Sequence, residues 1–376
     1  MSSSSSEKSA LVLELGACYA RCGISGERSP RCVERWQVGE MLHKPLSAAE
    51  WRQYLYPKLH SLCFERLLVN PTRRRFVVCE DLLLPRVLRE TLLSILFDVL
   101  KASAVTLVPS MMSVLYATTN HTALVVDCGW VETRLLPVFK GIPLPYLYDT
   151  VPAGSRNCCE VIQRELNSTR DQRMGCSKNV THVTEAMAED ILERACFAQH
   201  KDQLLHVVDA EFETEDNGVL QIPGDLRTEV VEQLLLGDEG TDGTSIVDGI
   251  VGVLKRAPVD VRAALLENLL LVGGTAMIPG LAQRVVAEVC EVYITTTSSH
   301  LHQLLLIERS LFRPPSHGTY SPGLVARFTL PLKAHACRLF RRKSIVAPKV
   351  PVSLTGSLSL TRNSSTTVLD ITAVVQ

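Results

Sequence analysis

Two stretches of this chain, far apart in sequence, open in the same way. Residues 123–145 read ALVVDCGWVETRLLPVFKGIPLP: an apolar run ending in an acid, a turn at Gly129, then a second apolar run to Gly141. Residues 10–26 read ALVLELGACYARCGISG, again Ala-Leu-Val, an aliphatic residue, an acid, one further residue and Gly. Glu14 and Gly16 of the earlier copy stand where Asp127 and Gly129 stand in the later one. A strand-acid-turn-strand unit repeated at this distance predicts two half-molecules of one plan.

The residue types suit a particular chemistry. A short continuous apolar run, β-branched at its end, reads as a strand buried in a sheet. Glycine lets the turn come close to a ligand, because no Cβ stands in the way. Backbone N–H groups of such a turn make an anion-binding concavity, and the acid can orient magnesium or its water shell. Two facing hairpins would clamp a polyphosphate between two domains. A single copy reads better as an ordinary buried hairpin whose acid caps the turn; the second copy is what brings the clamp into consideration.

The totals narrow the class. A chain of 376 residues has room for two domains, and with 46% hydrophobic and 21% charged residues it is globular in composition. A formal net charge of −1 offers no general attraction to nucleic acid or membrane. Twelve cysteines include no CxxC pair, so they read as reduced thiols filling the core rather than a zinc site. The opening serine tract has no apolar segment of a secretory signal, and no apolar run reaches membrane-spanning length. The expectation is a cytoplasmic protein with no metal centre of its own.

Along the chain, residues 1–9 are expected to be disordered and residues 27–46 to form a loop or small appendage. Residues 51–68 predict a helix broken near Pro57. Residues 70–75 predict a turn, 76–79 a strand, 85–100 a helix, 105–108 a strand and 111–117 a helix. Beyond Gly141 the pattern is helical, with surface helices at 158–166 and 186–205. Residues 211–223 read as a hairpin about Asn217-Gly218. Residues 237–243 (GDEGTDG) lack the ligand spacing of a calcium loop. An amphipathic helix at 258–268 feeds LLLVGGTAMIPG, residues 269–280, where an apolar strand meets a Gly-Gly-Thr turn. Such a turn lets a flat ring lie on bare backbone, though a plain strand-loop-helix unit has the same look. Residues 281–292 continue as a helix. From 309 to 376 there are ten Lys and Arg against one acid, Asp370, and the serines and threonines of 353–367 mark a basic, poorly ordered tail.

Taken together, the three motifs resemble those of the actin family, two phosphate hairpins and a Gly-Gly-Thr adenosine turn in this order. The resemblance runs from about residue 11 to about residue 293. Smaller matches are Arg89-Glu90-Thr91, Asp190-Ile191-Leu192-Glu193 and Val259-Asp260-Val261-Arg262, with Met277-Ile278-Pro279-Gly280 closing the third motif. It implies an α/β, actin-like (ribonuclease H-like) fold with duplicated domains about a nucleotide cleft. The domains are expected at 10–140 and 141–308, with the tail at 309–376. Residue by residue, it carries nucleotide binding to Glu14, Gly16, Asp127, Gly129, Glu193, Gly273 and Gly274. The implied cofactor is ATP or ADP with Mg, held structurally, or an empty site.

Departures from the family pattern point to the function. The first phosphate loop has lost its serine hydroxyl and second glycine, reading Glu14-Leu15-Gly16-Ala17-Cys18. In the second, Trp130 stands at the place of a second acid and Val131 at that of a second glycine. Aligned back from Leu115-Tyr116-Ala117, Ser110 stands where actin has the glutamine that positions the attacking water, and it is too short to do so. No catalytic residue is expected. Where actin carries an outer subdomain whose loop plugs into the next protomer, this chain has only residues 32–50. A protomer so reduced could dock on the pointed end of a filament and offer the next subunit nothing to grip. Runs such as LLVNPTRRRFVVCEDLLLPRVLRETL resemble the divergent branch of the family at the pointed end of dynactin. That resemblance implies work on the cytoskeleton in dynein-driven transport along microtubules. The implied partners are the actin-like protomers of dynactin's filament and its other pointed-end subunits. The alternatives are a nuclear actin-related subunit of a chromatin-remodelling complex, suggested by the basic tail, and a nucleotide-hydrolysing enzyme of the same fold. The end of the chain, Phe328-Thr329-Leu330-Pro331 onward, lacks the family's Trp and paired glycines.

Overall fold

In a computed structural model of the full chain, the described residues are 9–42, 44–118, 120–172, 182–200, 206–213, 219–237, 245–296 and 367–369. They fall into two compact units, 9–118 with 367–369, and 120–296.

The first unit begins with the first repeated hairpin, β1 (Leu11–Leu15) and β2 (Tyr19–Ile24), paired antiparallel with Glu14 opposite Arg21. The segment expected to be a loop or appendage is instead structured. It forms β3 (Cys32–Arg35), antiparallel to β2, and a short helix α1 (Val38–Leu42). Trp36 and Val38 are only 2% and 3% exposed. Backbone N–H groups of Trp36 and Gln37 donate to Cys18 O, and that of Gly39 to Ala17 O, at 2.7–2.9 Å. Two buried side chains separated by one residue outweigh the polar letters around them, because burying an indole stabilises more than exposed polar neighbours can offset.

Helix α2 (Ala48–Ser61) starts at a reciprocal cap: Ser47 Oγ accepts from Glu50 N, and Glu50 Oε2 accepts from Ser47 N at 2.7 Å. It is not broken at Pro57. Gln53 and Pro57 both lie on the exposed face, so water can satisfy the carbonyl that the proline deprives of a donor. The helix ends in a π-turn at Leu62–Arg66, with Leu67 N donating to Leu62 O and Val69 N to Cys63 O. Leu68 takes φ 52° before the chain enters β4 (Arg75–Glu80). The next repeat of this plan is α3 (Arg86–Ser94), a π-turn at Ile95–Val99, Lys101 at φ 54°, and β5 (Ala104–Pro109). Helix α4 (Ser110–Thr118) follows directly. β1, β4 and β5 are parallel, giving the order β5-β4-β1-β2-β3.

The second unit repeats the arrangement. β6 (Ala123–Cys128) and β7 (Thr133–Phe139) are the second hairpin, extended at β7 by β8 (Ile142–Pro143) and β9 (Asp149–Val151). Helices α5 (Ser155–Gln172) and α6 (Glu185–Ala195) lead to the hairpin β10 (Ala210–Glu213) and β11 (Val219–Ile222). After α7 (Gly224–Leu236), α8 (Ile246–Arg256) and α9 (Val259–Leu266), β12 (Leu269–Val272) joins β6 in parallel, and α10 (Leu281–Thr296) follows. The order β12-β6-β7-β8 thus matches β4-β1-β2-β3.

Several expectations are corrected here. The units divide between Thr119 and Asn120, not at residue 140, because β6 and β7 hydrogen-bond with β12 in one sheet. Helix α5 is no surface helix on its inner face, where Cys158, Cys159, Ile162 and Leu166 are buried. Helix α6 ends at Ala195, and Cys196 and Ala198 run on as buried non-helical chain; residues 201–205 lie outside the described residues. Residues 1–8, the Asn217-Gly218 turn and 238–243 also lie outside them. So does the basic tail, except β13 (Thr367–Leu369), which pairs parallel with β5. The described cysteines carry thiols, all but Cys290 buried, as core filler should be.

Candidate functional site

Each repeated hairpin closes in the same way. Gly16 N donates to Tyr19 O at 3.0 Å, and Gly129 N donates to Glu132 O at 3.0 Å. A Cβ on either glycine would come within 2.8 Å of that same carbonyl oxygen, so only glycine permits the turn. The acid two residues before the glycine faces a cross-strand arginine in both copies. Glu14 pairs in register with Arg21, and Asp127 with Arg134. The Arg21 Nη1–Glu14 Oε1 separation is 3.5 Å, while Arg134 Nη2 donates to Asp127 Oδ2 at 2.6 Å. The shared unit is therefore acid, Gly at +2, carbonyl at +5 and Arg at +7. The arginines went unremarked in the sequence, although their common spacing of seven from each acid was visible there.

The second hairpin and the Gly-Gly-Thr turn form one constellation within the second unit. The pairing of Val272 with Asp127 places Gly273 at the carboxyl end of β6. Gly273 has φ 96°, and a Cβ there would lie 2.2 Å from Cys128 O and 2.8 Å from Asp127 Oδ1. Gly274 has nothing within 4 Å of its virtual Cβ, so this is the glycine that presents bare backbone to open space. Thr275 Oγ1 donates to Gly129 O at 2.8 Å, lacing the two turns together. Helix α5 begins on the same turn: Ser155 N donates to Gly129 O and Arg156 N to Trp130 O. Gly154 makes this approach possible, its virtual Cβ falling 2.4 Å from Trp130 O. Trp130, at the place of a second acid, packs against the hydrophobic core.

Asp127, Gly129, Gly273 and Gly274 are thus brought together. Glu14 and Gly16 occupy the equivalent turn of the first unit. Glu193 is exposed on α6, a helix that packs on α5 and β10, and no hydrogen bond of the described residues ties it to the constellation. Ser110 opens α4 straight after β5, and its carbonyl accepts from Ser113 Oγ at 2.6 Å. Beside it at the end of β4, Glu80 is buried and held by Arg89 of α3, Nη2 to Oε1 at 2.9 Å and Nε to Oε2 at 3.0 Å. This bidentate pair fixes α3 on the sheet.

The residues fit a nucleotide better than they fit its metal. Gly274 offers a platform for a flat ring, and the turns bring backbone to the surface. Magnesium is held through one or two carboxylates plus phosphate oxygens, yet Asp127 already has Oδ2 paired with Arg134. Among the described residues no group of three His, Cys, Asp or Glu side chains is placed to hold a metal. No helix among them is long and apolar enough to cross a membrane.

Comparison with known proteins agrees with this architecture. Actin-related protein 10 of Dictyostelium discoideum is 23% identical, over 81% of this chain and 76% of that one. The profile of the family described as Actin matches residues 57–309, from the middle of α2 through α10. With that match spanning more than half its length and both sheets built on one plan, the chain belongs to the actin family.

Proposed function

We propose that this protein is a non-catalytic assembly subunit that caps the pointed end of dynactin's short actin-like filament, working in dynein-driven transport on microtubules. The observation that carries the reading is the fate of residues 32–42. They are built into the first unit as β3, Trp36 and α1, held to the hairpin turn by backbone hydrogen bonds. A segment consumed by its own sheet and core cannot extend as a plug into a neighbouring protomer. Filament growth by heterologous contacts stops where the next contact surface is missing. The likeness to Actin-related protein 10 supports the same branch of the family.

The nucleotide inferred for this fold is structural, ATP or ADP retained rather than turned over. This reading is supported by the short serine at position 110, at the start of α4, where a longer side chain would be needed to position an attacking water, and by Trp130, which packs against the core in place of an acid. The test is co-purification of the tagged full chain with actin-like protomers and pointed-end subunits, coupled to a filament growth assay. Arrest of growth at the pointed end alone is the expected result. Recovery with nuclear remodelling subunits instead, or rapid ATP turnover by the purified chain, would refute it.

A further inference from the structure

We propose that the groove between β3 and α2 is a docking site for an extended, acidic segment of a partner protein, which lies along β3 as an added strand.

The sheet order sets the groove. β3 ends the series β5-β4-β1-β2-β3, and among the described residues it pairs with β2 alone. Its far side is a sheet edge, where every second residue of an antiparallel strand turns its N–H and C=O outward. A groove of about 810 Å³ runs beside it, and Val33, Glu34 and Arg35, consecutive in β3, all line it. Side chains alternate between the two faces of a strand, so a groove that meets all three lies along the edge rather than over one face. The opposite wall is a stripe of α2, with Gln53, Pro57 and Ser61 at i, i+4 and i+8. The Tyr54 hydroxyl donates to Trp36 O and ties the two walls together just past the end of β3. An extended chain fits such an edge, its backbone bonding to the strand and its alternate side chains reaching the walls.

Charge selects the occupant. Arg35, Lys58 and Arg66 line the groove against one carboxylate, Glu34. That carboxylate is already engaged, Arg66 Nε donating to its Oε1 at 2.5 Å and Trp36 Nε1 to its Oε2 at 3.2 Å. The Arg66 side chain stays 62% exposed in this pair, and Lys58 Nζ rests 4.8 Å from the centre of the Tyr54 ring. The ends of this chain do not complement such a groove: residues 309–376 carry ten Lys and Arg against one acid, and residues 1–8 carry one of each sign. Two copies of the groove would repel each other. A partner segment rich in Asp and Glu matches it. Val33, exposed on β3, adds an apolar contact, so acids alternating with β-branched residues suit the site.

The experiment selects binders to the purified full chain from random peptides of about twelve residues and measures their dissociation constants. The selected peptides should be enriched in Asp and Glu alternating with Val, Ile or Thr. Lys58→Gln/Arg66→Gln, which removes two charges of the groove, should weaken them about three- to tenfold and melt with the parent chain. N-methylation of alternate peptide residues should weaken binding about tenfold or more in one phase of the alternation and leave it nearly unchanged in the other, because one set of N–H groups faces β3. Recovery of no binding peptide, binders without acidic enrichment, equal binding to the double variant, or indifference to N-methylation in both phases overturns the proposal. Self-association of the chain that the double variant abolishes overturns it too, since it gives the groove to a second copy.

Discussion

Replacing Trp36 by alanine tests whether residues 32–42 belong to the first unit's core. Trp36 is 2% exposed, its ring Nε1 donates to Glu34 Oε2 at 3.2 Å, and its carbonyl accepts from the Tyr54 hydroxyl. An indole buries roughly 150–250 Å², which at about 25 cal/mol per Å² corresponds to about 4–6 kcal/mol. Compactness of the unfolded chain lowers this to about 3–5 kcal/mol, the range usual for Trp→Ala in a core. For a unit of this size each kcal/mol moves the midpoint by about 3–5 °C, so a fall of about 10–20 °C is expected. Intrinsic fluorescence can follow the two units apart, because Trp51 is buried in the first and Trp130 packs in the second. The Trp51 transition should drop while the Trp130 transition holds. Val33→Ala, on the neighbouring strand β3 but 44% exposed, should change stability by no more than about 0.5 kcal/mol. A Trp36→Ala chain melting within about 2 °C of the parent would mean that the segment is a surface appendage, and the capping argument would lose its basis.

Gly273→Ala and Gly274→Ala should behave oppositely. The first forces a methyl against Cys128 O at φ 96° and should cost several kcal/mol, about 3 or more, seen as loss of folded yield; the second should melt normally but weaken nucleotide binding, since its methyl enters the open face. Arg284 of α10 bonds Glu288 at 2.8 Å and both oxygens of Glu232 on α7, and burial raises the pKa of Glu232 even against that arginine. Arg284→Met should therefore destabilise by about 3–5 kcal/mol in urea unfolding, with the Arg284→Met/Glu232→Leu/Glu288→Leu triple variant recovering most of it. Burial pushes the thiols of Cys128, Cys158 and Cys196 up to about 12 from 9.0. The unfolded chain releases these protons first, so stability should be full below pH 9 and fall between pH 9 and 12, as denaturant midpoints across that range will read. A flat profile over that window would contradict the burial.

The strands and the three turns were legible because each sets its own local signal: β-branched apolar runs, then an acid or a pair of glycines. The start of α2 was equally open to reading, since Ser47-Ala48-Ala49-Glu50 has the spacing of a reciprocal cap. Pro57 misled because its effect depends on whether Gln53 faces water, which no local pattern states. β3 escaped because four residues of alternating character give too few periods to register, and its burial is decided by the hairpin it joins. Helix α8 was open to reading too, since Asp248, Gly252, Lys255 and Arg256 mark one solvent face at helical spacing against an otherwise buried helix. At the site, sequence reading found the acids and glycines but not the arginines, whose meaning comes from the strand register that sets them opposite those acids.

The self-contained closure of each hairpin bears on how such chains drift. The closing hydrogen bond and the acid–arginine pair of each turn come from its own strand pair, so its letters can wander while four spaced positions hold it in shape. The family profile accordingly begins at residue 57 and passes over the first copy, whose kinship survives in geometry more than in spelling. Remote kin of this branch should be sought by the interval acid, glycine two on, arginine seven on, repeated once per chain.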